Sequence, residues 1–214
     1  MNEKESYSFT KSVKFTCEVK GRMLYNNNNN YLIIHGVKGA NPMSTSYGVY
    51  SFDLEKQKEK KLNYMSYFNE KHKLFFISDN KVLHYYTEFS TTTINIYNLG
   101  KNNDIISKKN KDNYNIDYLC NKEKYIYFVL VKQKDKFNEK ELNSSNELTF
   151  YKYDYNLELI EEAKSSYNAK IEYNKVIKVQ SNLILYGNNE TVILKGVNSL
   201  DDKSGKNMIS EIFE

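Results

Sequence analysis

At 214 residues, the chain is long enough to bury a substantial core, and its formal net charge of +4 is spread through short Lys/Glu mixtures rather than gathered into the basic stripe of a nucleic-acid binder. Its 20 tyrosines and 11 phenylalanines, against one proline and no tryptophan, favour strands over disorder. The longest apolar run, Tyr125 to Val131, falls far short of the roughly 20 residues that cross a bilayer as a helix, so no membrane segment is expected.

The N-terminal stretch MNEKESYSFTKS is polar and lacks the apolar region of a secretory leader, which makes residues 1–12 an arm and the expected location cytoplasmic. Phe15 to Lys20 reads as the first strand, followed by a hairpin end at Gly21 to Asn30 in which the Asn26 to Asn30 run adopts turn conformations. Tyr31 to Ile34 is too short and too β-branched for a helix and reads as a buried strand. Gly36, Gly39, Asn41, Pro42 and Gly48 then permit or fix unusual φ values, so the chain is expected to leave the sheet there and return as Val49 to Leu54. Glu55 to Lys61 reads as a charged hairpin end and Leu62 to Phe68 as a fourth strand.

The same grammar recurs. Leu74 to Ile77 and Val82 to Tyr86 flank a turn at Ser78 to Lys81, and after a polar loop Thr93 to Leu99 echoes the Val49 to Leu54 strand. Lys108 to Asn115 reads as a solvated segment, Ile116 to Cys120 as a strand, and Tyr125 to Val131 as an innermost one. Lys132 to Asn146 is a long charged insertion, expected to protrude. Leu148 to Tyr153 returns; beyond it, Leu157 to Ile160 continues the hairpin or Leu157 to Ala163 forms a short helix. Val176 to Val179, Leu183 to Tyr186 and Thr191 to Leu194 repeat the pattern in shorter form. The tail, residues 201–214, ends on Met208, Ile209, Ile212 and Phe213 and reads either as a ring-closing strand or as a turn of helix.

Phe52, Tyr97 and Tyr151 hold equivalent places about 45 to 55 residues apart, the period of propeller blades. The expected fold is therefore all-β, a diverged β-propeller with four or more blades visible over residues 13–200, either a small ring, part of a larger propeller or a ring that another chain completes. A β-sandwich with evenly spaced strands is the alternative.

His35 to Val49, HGVKGANPMSTSYGV, resembles the first-blade loop of the endoplasmic-reticulum guanine nucleotide exchange factors for the small GTPase that starts COPII coat assembly, a WD-type propeller family. Gly36 and Gly39 fit the ends of that family's glycine cluster, Ala40 the small residue after it, and Gly48-Val49 the pair that enters the next strand; Val37 and Lys38 stand where the family has further glycines. The resemblance is confined to Phe15 to Leu54. It implies a protein partner, a small GTPase, contacted through Gly36, Gly39, Asn41, Met43, Thr45 and Gly48. It further implies a potassium ion held by oxygens of the same loop, and a place on the cytosolic face of the endoplasmic reticulum. An exchange factor needs no nucleophile, because it acts by binding the nucleotide-free GTPase more tightly than the loaded form.

Conventional catalysis finds little support. His35, His72 and His84 fall in separate units without metal-ligand spacing, and no G-x-S-x-G elbow, phosphate loop or H-E-x-x-H occurs. Asp53, Asp79, Asp117 and Asp154 recur near strand ends, where capping turns is the simpler role. Cys17 and Cys120 are too few for a disulfide framework and read as reduced thiols in strand contexts. The alternative to exchange activity is a non-catalytic propeller scaffold in a multiprotein complex.

Overall fold

The computed structural model describes residues 14–39, 45–65, 72–88, 91–100, 104–111, 116–132, 145–168, 173–187, 191–195, 201–202 and 206–214. Among them the chain builds four successive sheets in which sequence neighbours are hydrogen-bonded neighbours. The first is β1 (Glu18–Asn26), β2 (Tyr31–Lys38), β3 (Ser46–Asp53) and β4 (Lys58–Met65); the second is β5 (Lys73–Ser78), β6 (Lys81–Glu88), β7 (Thr91–Asn98) and β8 (Ile105–Lys111). The third is β9 (Ile116–Lys122), β10 (Tyr125–Lys132), β11 (Ser145–Asp154) and β12 (Leu159–Asn168). The fourth has β13 (Tyr173–Val179), β14 (Asn182–Gly187) and β15 (Thr191–Lys195). This succession of small meanders is an all-β, propeller-like fold.

Met208, Ile209, Ile212 and Phe213 take the helical one of the tail's two readings, and a short strand upstream adds to the edge of the third sheet. Asp201–Asp202 forms β16, which pairs with Ser165 and Ser166 of β12, and Lys206–Phe213 forms the helix α1.

The turns follow from their residue types. Asn30 adopts a φ of 55°, Asn26 Oδ1 accepts the Asn28 amide at 2.9 Å, and Asn29 Oδ1 accepts that of Tyr31 at 3.2 Å, so the asparagine run supplies its own turn. Asp53 Oδ1 accepts the amides of Glu55 and Lys56, and Asp154 Oδ1 those of Asn156 and Glu158, so each closes a hairpin. Asp117 Oδ2 accepts the Val176 amide at 2.7 Å, tying β9 to β13.

Several expectations change on meeting the structure, and one open alternative is decided. The first strand begins at Glu18, with Phe15 set edge-on to Phe52 at 5.5 Å instead of lying in the ladder. Gly36 and Gly48 do not leave the sheet: they sit opposite one another inside β2 and β3. The Lys108 to Asn115 segment is strand as far as Lys111, because a sheet edge tolerates lysine when the charge reaches out; Lys108 Nζ donates to the Leu157 carbonyl at 3.1 Å and lies 4.7 Å above the Tyr153 ring. Leu159–Asn168 is a strand rather than a helix, since nine-residue pairing with β11 overrides the helical propensity of its glutamates. Of the Lys132 to Asn146 insertion, residues 133–144 lie outside the described residues.

The chain divides into two compact units, Met1–His84 with Tyr97–Ile105, and Tyr85–Ile96 with Ile106–Glu214. In the first, Ile33, Val49 and Leu62 pack with Leu74, Val82, Tyr97 and Leu99. In the second, Val129, Leu148 and Phe150 meet Val176, Leu183 and Leu185, and α1 adds Met208, Ile209, Ile212 and Phe213 to the same core. Each such side chain contributes roughly 1.5–3 kcal/mol by leaving water.

Candidate functional site

The hairpin of β2 and β3 carries the residues that the sequence singles out. It is paired in unbroken register from Tyr31↔Asp53 to Lys38↔Ser46, with Gly36 opposite Gly48. A Cβ on Gly36 would lie 2.5 Å from Cys17 Sγ, and one on Gly48 2.5 Å from the Asn63 carbonyl oxygen and 2.6 Å from Lys61 Cε. Both glycines are there because neighbours press against the backbone, not because the chain turns. Gly39, at a φ of 133°, is the one that uses the freedom of glycine, at the point where β2 ends. Thr45 is half-buried just before β3. Asn41 and Met43 lie outside the described residues, as does most of the loop to which the resemblance assigns a potassium ion.

Around the loop end of this hairpin stands a group of side chains that the sequence did not single out. Lys38 Nζ pairs with Glu59 at 2.8 Å, and Glu59 also accepts the Thr16 amide at 2.8 Å and the Thr16 hydroxyl. Burial pushes the Glu59 carboxyl up, but the bonds from Lys38 and Thr16 outweigh it and hold the group below its ordinary value. Lys61 donates to the Ser46 hydroxyl and lies 3.4 Å above the ring of Tyr64, which is 76% exposed. Lys38 and Lys61 sit 5.2 and 5.4 Å from the centre of the buried Tyr50 ring. Burial and the neighbouring Lys38 lower the Lys61 pKa, and burial, with Cys17 and Glu59 nearby, raises that of Tyr50 to about 12.

A β-bulge explains why this group escaped sequence reading. Between Val49↔Asn63 and Tyr50↔Lys61 the register slips, so Leu62 is the extra residue and turns into the core while Lys61 joins the face of Tyr50. Strict alternation along KEKKLNYM misses that switch. The result is a plate of the Lys61 ammonium over an exposed aromatic ring, with the Glu59-paired Lys38 beside it.

The three histidines, expected in separate units, come together. His35 on β2, His84 on β6 and His72 just before β5 have ring centres 5.4–6.1 Å apart and are all buried. His72 Nδ1 and His84 Nε2 are 3.2 Å apart, and His84 Nδ1 is 2.9 Å from the Tyr97 hydroxyl, which accepts from Asn63 Nδ2 at 3.1 Å. Burial lowers all three, His35 to about 3 and His72 to about 4, so the rings are neutral at physiological pH. Among the described residues no group of His, Cys, Asp or Glu is arranged to hold a metal ion. The cluster is a polar part of the core that depends on β2 facing β6.

In the second unit a cleft of about 240 Å³ opens beside α1. Its centre is Glu211, which accepts from Lys152 Nζ at 2.7 Å and from the Tyr127 hydroxyl at 2.6 Å, and Lys152 lies 4.5 Å above the Tyr125 ring. Glu211 and Lys152 are each other's counterpart, so this network fastens α1 to β10 and β11.

Among the described residues no helix is long and apolar enough to cross a membrane. No family model matches the chain, and no curated protein does. Among solved structures, the acylaminoacyl peptidase of Pyrococcus horikoshii is similar with a TM-score of 0.43 and 16% identity, over 77% of this chain and 30% of the peptidase chain.

Proposed function

We propose that this chain is a protein-interaction module that docks a partner on the loop end of the β2–β3 hairpin, through the Gly39 to Thr45 connection and the adjoining Lys38, Lys61 and Tyr64. The observation that carries this reading is the exposed Tyr64 ring under the Lys61 ammonium, beside a hairpin held by close contacts at Gly36 and Gly48. A stiff support with a basic and aromatic rim fits an acidic protein surface, and such contacts set encounter rate and specificity more than raw affinity.

In its specific form the partner is the small GTPase of COPII budding, and the module accelerates nucleotide release. That form is supported by the likeness of His35 to Val49 to the exchange-factor loop. Binding that favours the nucleotide-free GTPase lowers its nucleotide affinity by the same factor.

Release of fluorescent GDP from the purified GTPase tests it. Addition of the 214-residue chain at micromolar concentration should speed release at least tenfold, and Lys61→Glu with Tyr64→Ala should remove the effect while leaving the circular dichroism spectrum unchanged. Unaltered release removes the exchange reading. If the chain still captures a protein partner, and loses it with the same substitutions, the scaffold reading stands.

A further inference from the structure

The cleft beside α1 has an open acceptor at its deep end. Buried Lys152 and the Tyr127 hydroxyl both donate to Glu211 Oε2, at 2.7 and 2.6 Å, and Lys152 is held 4.5 Å above the Tyr125 ring. Both bonds fall on one carboxylate oxygen. Among the described residues the other, Oε1, accepts no bond, while the Glu211 side chain is 41% exposed and borders the cleft. A carboxylate with one oxygen anchored and one open is a fixed acceptor for a further donor.

The mouth carries charges of both signs. Exposed Glu123 and Glu214 and half-buried Lys122 border it, and among the described residues none of the three has an ion-pair partner. Lys122 ends β9, Glu123 follows in the turn at a φ of 52°, and the Glu214 amide bonds the Ser210 carbonyl at 3.0 Å, which extends the last turn of α1. Lys122 is close enough to help hold the Glu211 carboxyl low. Lys124, 5.6 Å from the Tyr125 ring, stands outside the lining. At about 240 Å³ the cleft is smaller than the roughly 300–1,000 Å³ of drug-sized sites, which fits a small polar metabolite.

We propose that this cleft binds a free basic amino acid of the lysine or arginine type. The side-chain cation goes to Glu211 Oε1, the methylene stem lies along Tyr125 and Tyr127, the α-ammonium meets Glu123 and Glu214, and the α-carboxylate meets Lys122. Charge complementarity selects this class. The open oxygen and the two mouth carboxylates call for cationic groups, and Lys122 calls for an anionic one. A neutral amino acid leaves Glu211 Oε1 unanswered, an acidic one sets a like charge against it, and a plain diamine brings a second ammonium up to Lys122. The aromatic walls between the charged ends match a ligand whose stem is apolar and whose tips are not. The inference does not draw on the β2–β3 hairpin and stands or falls apart from the function proposed for it.

Isothermal titration calorimetry on the full chain, with L-lysine and L-arginine, reads the outcome. At least one should bind saturably with a dissociation constant of about 1 mM or below, the range open to a ligand of this size. Norleucine, which lacks the side-chain ammonium, and cadaverine, which lacks the carboxylate, should bind roughly tenfold more weakly or worse. Lys122→Gln should weaken lysine by a similar factor and leave cadaverine binding no weaker, whereas Glu214→Gln should weaken both. Neither side chain lies in the core, so both variants should keep the far-UV circular dichroism spectrum. No saturable binding of either amino acid, equal binding of norleucine or cadaverine, or an affinity for lysine that K122Q leaves untouched overturns the proposal. So does Nα-acetyl-lysine amide binding as tightly as lysine, since the cleft would then read a basic side chain on a protein.

Discussion

Gly36 matters through the hydrogen it carries where other residues have Cβ. With Cys17 Sγ 2.5 Å and Tyr50 Cδ2 3.1 Å from that point, Gly36→Ala forces the Phe15 to Cys17 segment off the sheet or the strand out of register. Overpacking of this sort costs about 1–3 kcal/mol. Gly36→Ala should therefore lower stability by that amount in urea denaturation, and the double change with Cys17→Ala should recover most of it, because the sulfur is the closest obstacle; equal losses with and without the second change would place the strain elsewhere. The glycines were visible in the sequence, but their meaning was not. A glycine in a loop and a glycine under a neighbouring side chain look the same until the neighbour, 19 residues away in sequence for Cys17 and Gly36, is placed.

At the level of elements, hairpins were the most legible part. Alternating apolar residues and the Asx turns at Asp53 and Asp154 mark β3 and β11 locally, since both signals act within a few residues. β8 and β12 were misread or left ambiguous because their lysines and glutamates describe the solvent side, and only pairing with a neighbour decides the backbone. α1 was open for the same reason: its apolar pairs suit either period, and what selects the helix is a space beside β9–β12 and β13–β15 that Met208, Ile209, Ile212 and Phe213 fill. Ile212, fully buried, should cost about 2–5 kcal/mol when cut to alanine. Hydrogen exchange should show the loss as faster exchange in β10 and β11; protection left intact in those strands would mean that α1 is an accessory to the core.

For the molecule as a whole, the shifts in protonation point one way on the acid side. The folded state holds His35, His72 and His84 below the ordinary histidine value, chiefly by burial, so the unfolded chain binds the extra protons first. Stability is then fully present above about pH 6.5 and falls as pH drops toward the folded values near 3 to 4, with a slope of up to about 1.4 kcal/mol per pH unit for each histidine. Glu211, held low by bonds from Lys152 and Tyr127, adds to the loss below the carboxylate range. On the alkaline side, buried Tyr50 and half-buried Tyr151 are raised to about 12, so stability declines once the unfolded tyrosines ionise above about pH 10. Urea midpoints should be flat between those limits, and His84→Gln should shallow the acid limb; an acid limb unchanged by that substitution would remove the histidines from the account. The four-sheet order was readable from spacing alone, because each meander is a local object. The histidine cluster and the Lys61–Tyr64 plate were not, because they depend on one sheet facing another and on a single bulged residue.

The seating of α1 also has a bearing on how the protein is made. A ribosome delivers β9 through β15 well before residues 206–213, so the apolar faces those strands turn toward the helix stand uncovered until synthesis has passed Phe213. A message broken or stopped ahead of that point would release a nascent chain with an open greasy seam, fit for chaperones and proteases rather than for use.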